Sequence, residues 1–343
     1  MREHASDQAA GRREGISRLL AAWICFTLLT VARVASQENP PEQPATTLKV
    51  TTDVVNVYAV VKGKKGALIP NLNKEDFELA EDNSPQQIRY FSRETDTPLT
   101  LGIMIDTSPS QGRVLGIEQQ EAKAFLRQVL RPKDLAFVLH FDLEVELLQD
   151  LTSDAGRLAR AINETVINGG GRGVLPSPFP TSDPCCTHLY DAVYLASNEL
   201  LKNEIGRKVL ILLSDGEDAG SKVKLDAALE AAQKSDVILY SVDIVDRAFY
   251  WGQGGLRGIG GFSGDSVLKK LSDETGGRVI QVERARDTAA AFQEIANELR
   301  TQYLLGYTPA NTRHDGSFRK IRLHVRSGEY KVQARRGYYA PRS

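Results

Sequence analysis

The chain has 343 residues, 41% hydrophobic and 25% charged, and its 43 Lys and Arg against 44 Asp and Glu leave a formal net charge of -1. That length exceeds one ordinary compact unit and implies a sizeable domain with a smaller one, in a composition ordinary for a globular chain. A balanced charge excludes a global field drawing the protein onto nucleic acid or an anionic membrane, leaving only local patches; no nucleic-acid-binding motif is present.

The N-terminus carries Arg2, Arg12, Arg13 and Arg18, then an apolar run from Leu19 to Ala32, then Val34-Ala35-Ser36 ahead of QENPPEQP. This order predicts a signal peptide over 1–36 and a Pro-rich linker over 37–46. The run is shorter than the roughly 20 residues a membrane-spanning helix needs, which disfavours an uncleaved anchor. Either reading exports the remainder, to the periplasm, the cell surface or the medium. Membrane contact is expected only through this segment, if it stays uncleaved. Cys25 leaves with the signal, so the mature chain keeps the neighbours Cys185 and Cys186. Adjacent cysteines cannot staple distant segments; a vicinal disulfide, pairing with another chain and free thiols all stay open.

Residues 47–97 form the N-terminal β segment. TLKVTTDVVNVYAVV is rich in β-branched residues and ends in a turn at Gly63-Lys64-Lys65-Gly66; DFELAED and QQIRYFSRE flank a second turn at Asp82-Asn83-Ser84-Pro85. From 98 to 302 strands alternate with helices. LTLGIMID is a continuous apolar run, the mark of a strand buried on both faces of a parallel sheet. A helix follows over 114–130, then strands LAFVLHF and VELLQ, and helices over 154–166 and 188–203. Strand VLILLSD, helix 221–234, strand VILYSVDIV, helix 266–274, strand RVIQV and helix 286–301 complete the series. The fold class is therefore α/β, a doubly wound, mainly parallel sheet with helices on both faces. Residues 303–343 return to strands: YLLGYTP, FRKIRLHVR and YKVQARRGYYA. With no helices to pack on, this C-terminal β segment is expected to join 47–97 in one small antiparallel β domain.

In an open parallel sheet, ligands bind beyond the carboxyl ends of the strands. Asp106 ends the first such strand, and Ser108 and Ser110 follow in its loop. Asp215 closes VLILLSD, in the position relative to its strand that Asp106 has in the first. Thr187 precedes the helix of HLYDAVYLAS. One carboxylate and two hydroxyls on alternate loop residues suit a hard cation such as Mg²⁺ or Mn²⁺. Each piece alone is weak, since Ser and Thr after strands commonly cap helices and Asp215-Gly216 by itself is a turn.

Together, Asp106-Thr107-Ser108-Pro109-Ser110, Thr187 in CTHLYDAVYLAS and Asp215 in LLSDGEDAGS resemble, in that order, the metal-ion-dependent adhesion site of von Willebrand factor A domains. The resemblance implies a metal site of Asp106, Ser108, Ser110, Thr187 and Asp215 holding Mg²⁺, or Mn²⁺ or Ca²⁺. Ser108, Ser110 and Thr187 would coordinate directly, Asp106 and Asp215 mainly through waters, and one position would stay open for an Asp or Glu carboxylate of a protein partner. Outer-shell acids leave the metal more of its positive charge for that ligand. VVNVYAVVKGKKGALIPNLNKEDFELAEDNSPQQIRYFSRE, Thr275-Gly276-Gly277-Arg278, QYLLGYTP and RRGYYAP resemble the exported A-domain-related proteins of Acidobacteria. The insert from Gly169 to Cys186 departs from the short lead that many A domains have before the Thr.

GQGGLRGIGGFSG, over 252–264, lacks the third glycine of a dinucleotide fingerprint and any Walker Lys-Ser/Thr, and reads as a surface loop. For catalysis, His140 and His188 are the candidate bases, but no Gly-x-Ser-x-Gly or His-Glu-x-x-His accompanies them. His188 reads as a helix-start residue. Arg319, Lys320, Arg322, Arg326, Lys331, Arg335 and Arg336 read as a solvated face. The expected function is an exported, metal-dependent, non-enzymatic protein-binding module. The alternatives are a metal-dependent hydrolase of surface polymers and a structural envelope protein with a vestigial site.

Overall fold

The computed structural model describes residues 54–93, 97–167, 187–244, 263–326 and 328–342, which fall in the compact unit Thr52–Ser343. The signal and linker, the Cys185-Cys186 pair and nearly all of the Gly-rich 252–264 stretch lie outside the described residues. No described helix is long and apolar enough to cross a membrane.

Four strands open the unit: β1 (Val55–Lys62), β2 (Phe77–Glu81), β3 (Ser84–Gln86) and β4 (Ile88–Arg93). There follow β5 (Leu99–Asp106), α1 (Leu115–Val129), β6 (Leu135–Phe141), β7 (Val145–Thr152) and α2 (Ala155–Glu164). Next come α3 (Leu189–Leu195), running on into a π-wound turn at Ala196–Leu201, then β8 (Arg207–Leu213), α4 (Leu225–Lys234) and β9 (Val237–Ile244). After α5 (Ser263–Thr275), β10 (Val279–Val282) and α6 (Thr288–Arg300), the chain ends in β11 (Tyr303–Tyr307), β12 (Phe318–Val325), β13 (Lys331–Ala334) and β14 (Gly337–Tyr339).

The central sheet has the order β10-β9-β8-β5-β6-β7. All its pairings are parallel except that of β7 on β6. Every residue of β5 is buried, because helices cover both faces. Leu101, Ile103 and Ile105 pack in a core with α1, α2 and α6, whereas Met104 joins a second core with α3, α4 and α5. This alternation is the period-2 geometry of a strand meeting two apolar layers, each large side chain contributing about 1.5–3 kcal/mol by burial. Gly102 lies under Phe137, whose Cζ would be 2.3 Å from any Cβ there. The protein is a doubly wound, mainly parallel α/β fold with helices on both faces.

Strands from both chain ends make two further antiparallel sheets, β13-β1-β11-β4 and β14-β12-β2-β3, which share a core of Val57, Leu79, Tyr303, Leu305 and Leu323. YKVQARRGYYA is two strands rather than one, and they belong to different sheets. Between them Arg335 pairs with Asp236 and the Arg336 N–H donates to Glu274 O at 3.2 Å, so the chain is pinned to the α/β layer as it crosses. Arg319 also departs from the expected solvated face. It is 3% exposed, 3.6 Å from buried Glu81, and it donates to the carbonyls of Asn311 and Arg313.

The β layers meet the α/β layer through buried Glu298, which pairs with Lys62 at 2.6 Å and Arg278 at 2.7 Å. Asp236 and Gly276–Arg278, which take part in this junction, precede β9 and β10, so the β layers sit at the amino edge of the central sheet. Gly276 allows the contact: it has φ +92°, and a Cβ there would fall 2.6 Å from Arg335 N.

Candidate metal centre

The opposite, carboxyl edge is where β5 delivers Asp106, wholly buried. Its carboxylate is held by neutral donors: Ser108 N–H to Oδ1 at 2.9 Å, and Ser214 Oγ–H to Oδ2 at 2.6 Å. Register explains the second contact. Ile105 pairs with Leu213 across β5 and β8, which puts Ser214 level with Asp106. The expectation that Asp215 occupies the equivalent position is therefore off by one residue, since β8 ends at Leu213 and leaves Asp215 in the loop. Ser214 was missed because a serine at a strand end has no signal of its own until the register is known.

The Ser108 and Ser110 hydroxyls lie 3.0 Å apart, so the Asp-x-Ser-x-Ser loop does turn its alternate side chains to one place. Asp215, 7% exposed, accepts from Glu217 N–H at 3.2 Å. Its turn needs Gly216, which has φ +79° and whose Cβ would sit 2.5 Å from Gly264 O at the start of α5. Thr187 is anchored between two strand ends. Ala219 N–H donates to its carbonyl at 3.0 Å, and the following His188 N–H donates to Asp142 O at 2.8 Å. Asp142, which the sequence reading did not single out, also accepts from Thr107 Oγ1 at 2.7 Å, tying the β6 end to the Asp106 loop. The helix expected over 221–234 starts only at Leu225, because Asp191 takes the N–H groups of Lys222 and Val223.

Electrostatically the edge is crowded with acid. Burial, then the Asp215 charge, pushes Asp106 up from 3.8 to about 7, against the lowering effect of the Ser108 and Ser214 hydrogen bonds. Glu118, wholly buried in α1, is raised well above the usual carboxyl range by burial and then by Asp106 and Asp215. Neither of its carboxylate oxygens has a hydrogen-bond partner. A signal for it existed: Glu118 lies on the apolar stripe of Leu115, Ala122, Phe125 and Leu126, where an acid has no structural reason to be.

Among the described residues no three His, Cys, Asp or Glu side chains form a metal-ligating group. What this edge offers is hydroxyls backed by carboxylates, a donor set for a hard cation that keeps waters. The residues fit such an ion: it would lower the cost of the Asp106–Asp215 pair, and the Ser108 and Ser110 oxygens are already together. For catalysis the geometry is poor. His140 Nδ1 reaches Thr107 Oγ1 at 3.0 Å, but Thr107 is wholly buried and donates to Asp142. His188 immediately precedes α3, as expected of a helix-start residue.

A scan of protein-family models finds no match, and a search of curated proteins finds none. Among solved structures the chain is similar to the conserved hypothetical protein BatB from Bacteroides thetaiotaomicron, at 14% identity and TM-score 0.42, covering 59% of this chain and 97% of that one. It is also similar to a von Willebrand factor type A protein from Catenulispora acidiphila, at 12% identity and TM-score 0.44, over 78% and 74% of the two chains. A third is proximal thread matrix protein 1 from the mussel byssus with a zinc-occupied MIDAS motif, at 13% identity and TM-score 0.44; this chain covers 61% of itself and about half, 50%, of that protein. Likeness at this level concerns the arrangement of strands and helices and does not extend to the site.

Proposed function

We propose that the protein is an exported, metal-dependent binding module that captures an acidic side chain of a protein partner through a divalent cation at the carboxyl edge. The observation that carries this reading is the buried Asp106, raised to about 7 beside Asp215 and set against the paired Ser108 and Ser110 hydroxyls. Such an arrangement is unfavourable for the bare protein and is relieved by a cation.

Ser108, Ser110 and Thr187 would hold the ion directly, with Asp106 and Asp215 acting through waters, in the pattern of the A-domain adhesion site that the sequence resembles. The ion supplies positive charge at an open position, and Mg²⁺ suits the hard oxygen set, with Mn²⁺ or Ca²⁺ as substitutes. The chain's own part is to fix the hydroxyls, through the Asp106 hydrogen bonds and the Asp142–Thr107 tie. Because the β layers lie at the amino edge, they serve as a mount rather than as a second surface for the same ligand. Export follows from the arginine-flanked apolar run within residues 1–36, and places the module in the periplasm, on the cell surface or in the medium.

Calorimetry with Mg²⁺ and Mn²⁺, followed by titration with Asp- and Glu-containing peptides, tests the reading. The wild type should bind peptide in Mg²⁺ and not in EDTA, and Asp106→Ala should not bind it. Failure of the wild type to bind either cation, or identical behaviour of Asp106→Ala, overturns it.

A further inference from the structure

At the next strand of the same edge, Asp243 near the end of β9 is fully buried, and neither of its carboxylate oxygens has a hydrogen-bond partner. A buried carboxylate without a donor is among the least favourable groups a protein can hold. Nor is it simply isolated. It faces the carboxylate of Asp265, in the first turn of α5, and feels the charge of Asp215 beyond it. Burial first, and Asp265 second, push Asp243 up to about 8, while the Gln281 amide of β10 gives a small opposing effect without a hydrogen bond of good geometry. Gln281 does reach Asp265, 3.4 Å from Nε2 to Oδ2. When both are ionised the two carboxylates meet as acceptor against acceptor, so a positive species, a proton or a cation, belongs between them.

We propose that Asp243 and Asp265 form a second divalent-cation site, of Mg²⁺ type, distinct from the one built on Ser108, Ser110 and Thr187. The chemistry matches that ion. Mg²⁺ binds through one or two carboxylates while keeping several waters, and partly exposed Asp265 leaves room for water where Asp243 does not. Gln281 supplies a third oxygen when its amide turns over. Such an ion clips the first turn of α5 to the end of β9. That turn also packs on the first site's loop, since a Cβ on Gly264 would lie 2.3 Å from Asp215 O. The second ion therefore braces the wall against which Asp215 stands.

Counting bound Mn²⁺ by equilibrium dialysis with paramagnetic resonance, on the folded full chain at pH 8, tests the site. Two ions per wild-type chain are expected, and one in Asp265→Asn. Because Asp265 is partly exposed, that variant should keep its circular dichroism, and Asp243→Asn serves as the second variant. An unchanged count in Asp265→Asn overturns the proposal and means that a proton sits between the carboxylates. Asp106→Ala separates the two sites. If it keeps one ion, and loses that ion when Asp265→Asn is added, the second site stands. A folded Asp106→Ala that binds none overturns it. Should Asp106→Ala still bind two while Asp265→Asn binds one, the first site's reading fails and this one holds.

Discussion

Replacing Asp106 by Asn should make the metal-free protein more stable at pH 8, not less. A carboxyl whose folded value lies above its unfolded one contributes stability that is fully present below the unfolded value, 3.8, and is lost as pH rises through the folded value, about 7. At about 1.36 kcal/mol for each pH unit of that interval, the ionised group destabilises the folded state by roughly 4 kcal/mol at pH 8. Asn carries no charge to desolvate or to face Asp215. It can keep the 2.9 Å bond from Ser108 N–H through its oxygen, while the Ser214 hydroxyl must turn to accept from its amide. Allowing about 1–2 kcal/mol for that disturbed bond, the net gain in EDTA is about 2–3 kcal/mol at pH 8, whereas at pH 4, where almost no charge cost is left to remove, the variant should be about 1 kcal/mol less stable than the wild type. In a thermal melt the gain at pH 8 is about 5 °C. Added Mg²⁺ should raise the wild type more than the variant, which keeps only the ion between Asp243 and Asp265. An Asp106→Asn protein that is equally destabilised at pH 4 and pH 8 in EDTA, or that gains as much from Mg²⁺ as the wild type, refutes the reasoning.

Ser214→Ala removes the 2.6 Å donor to Asp106 and the acceptor of Gly216 N–H; it should destabilise by about 1.5–3 kcal/mol at pH 8 in urea denaturation. It should also move the pH midpoint of the stability profile upward, since a bond that favours the charged form is lost. Gly277→Ala puts a methyl group 1.9 Å from Leu239 O, a backbone atom that cannot swing away; a loss of about 3 kcal/mol is expected, read as the urea midpoint. Glu298→Ala strands Lys62 at the junction of the two layers and leaves Arg278 only its pair with Glu294, and should lose about 2–3 kcal/mol by the same measurement. If the transition then splits in two, the β layers unfold separately.

The fold was legible because its strongest signals are local. LTLGIMID, VLILLSD and VILYSVDIV are continuous apolar runs, and only a sheet covered on both faces buries them, as β5, β8 and β9 are buried. The hydroxyl pair was legible for a similar reason, since Ser108 and Ser110 are two residues apart in one loop. Boundaries were less so where a distant group decides them. Asp191 delays the start of α4, and the contacts of Arg335 and Arg336 split what reads as one terminal strand.

The sequence by itself determined the alternation of strands and helices, and it pointed to the edge at which a ligand is expected and to the candidates Asp106, Ser108, Ser110, Thr187 and Asp215, because periodicity and loop spacing are properties of neighbours along the chain. Tertiary structure alone decided that Ser214 rather than Asp215 stands level with Asp106, that Glu118 and Asp243 are buried without partners, and that Asp265 faces Asp243. Those facts depend on register and helix docking, which juxtapose residues far apart in sequence, and the charges of buried acids follow from surroundings that no local pattern records.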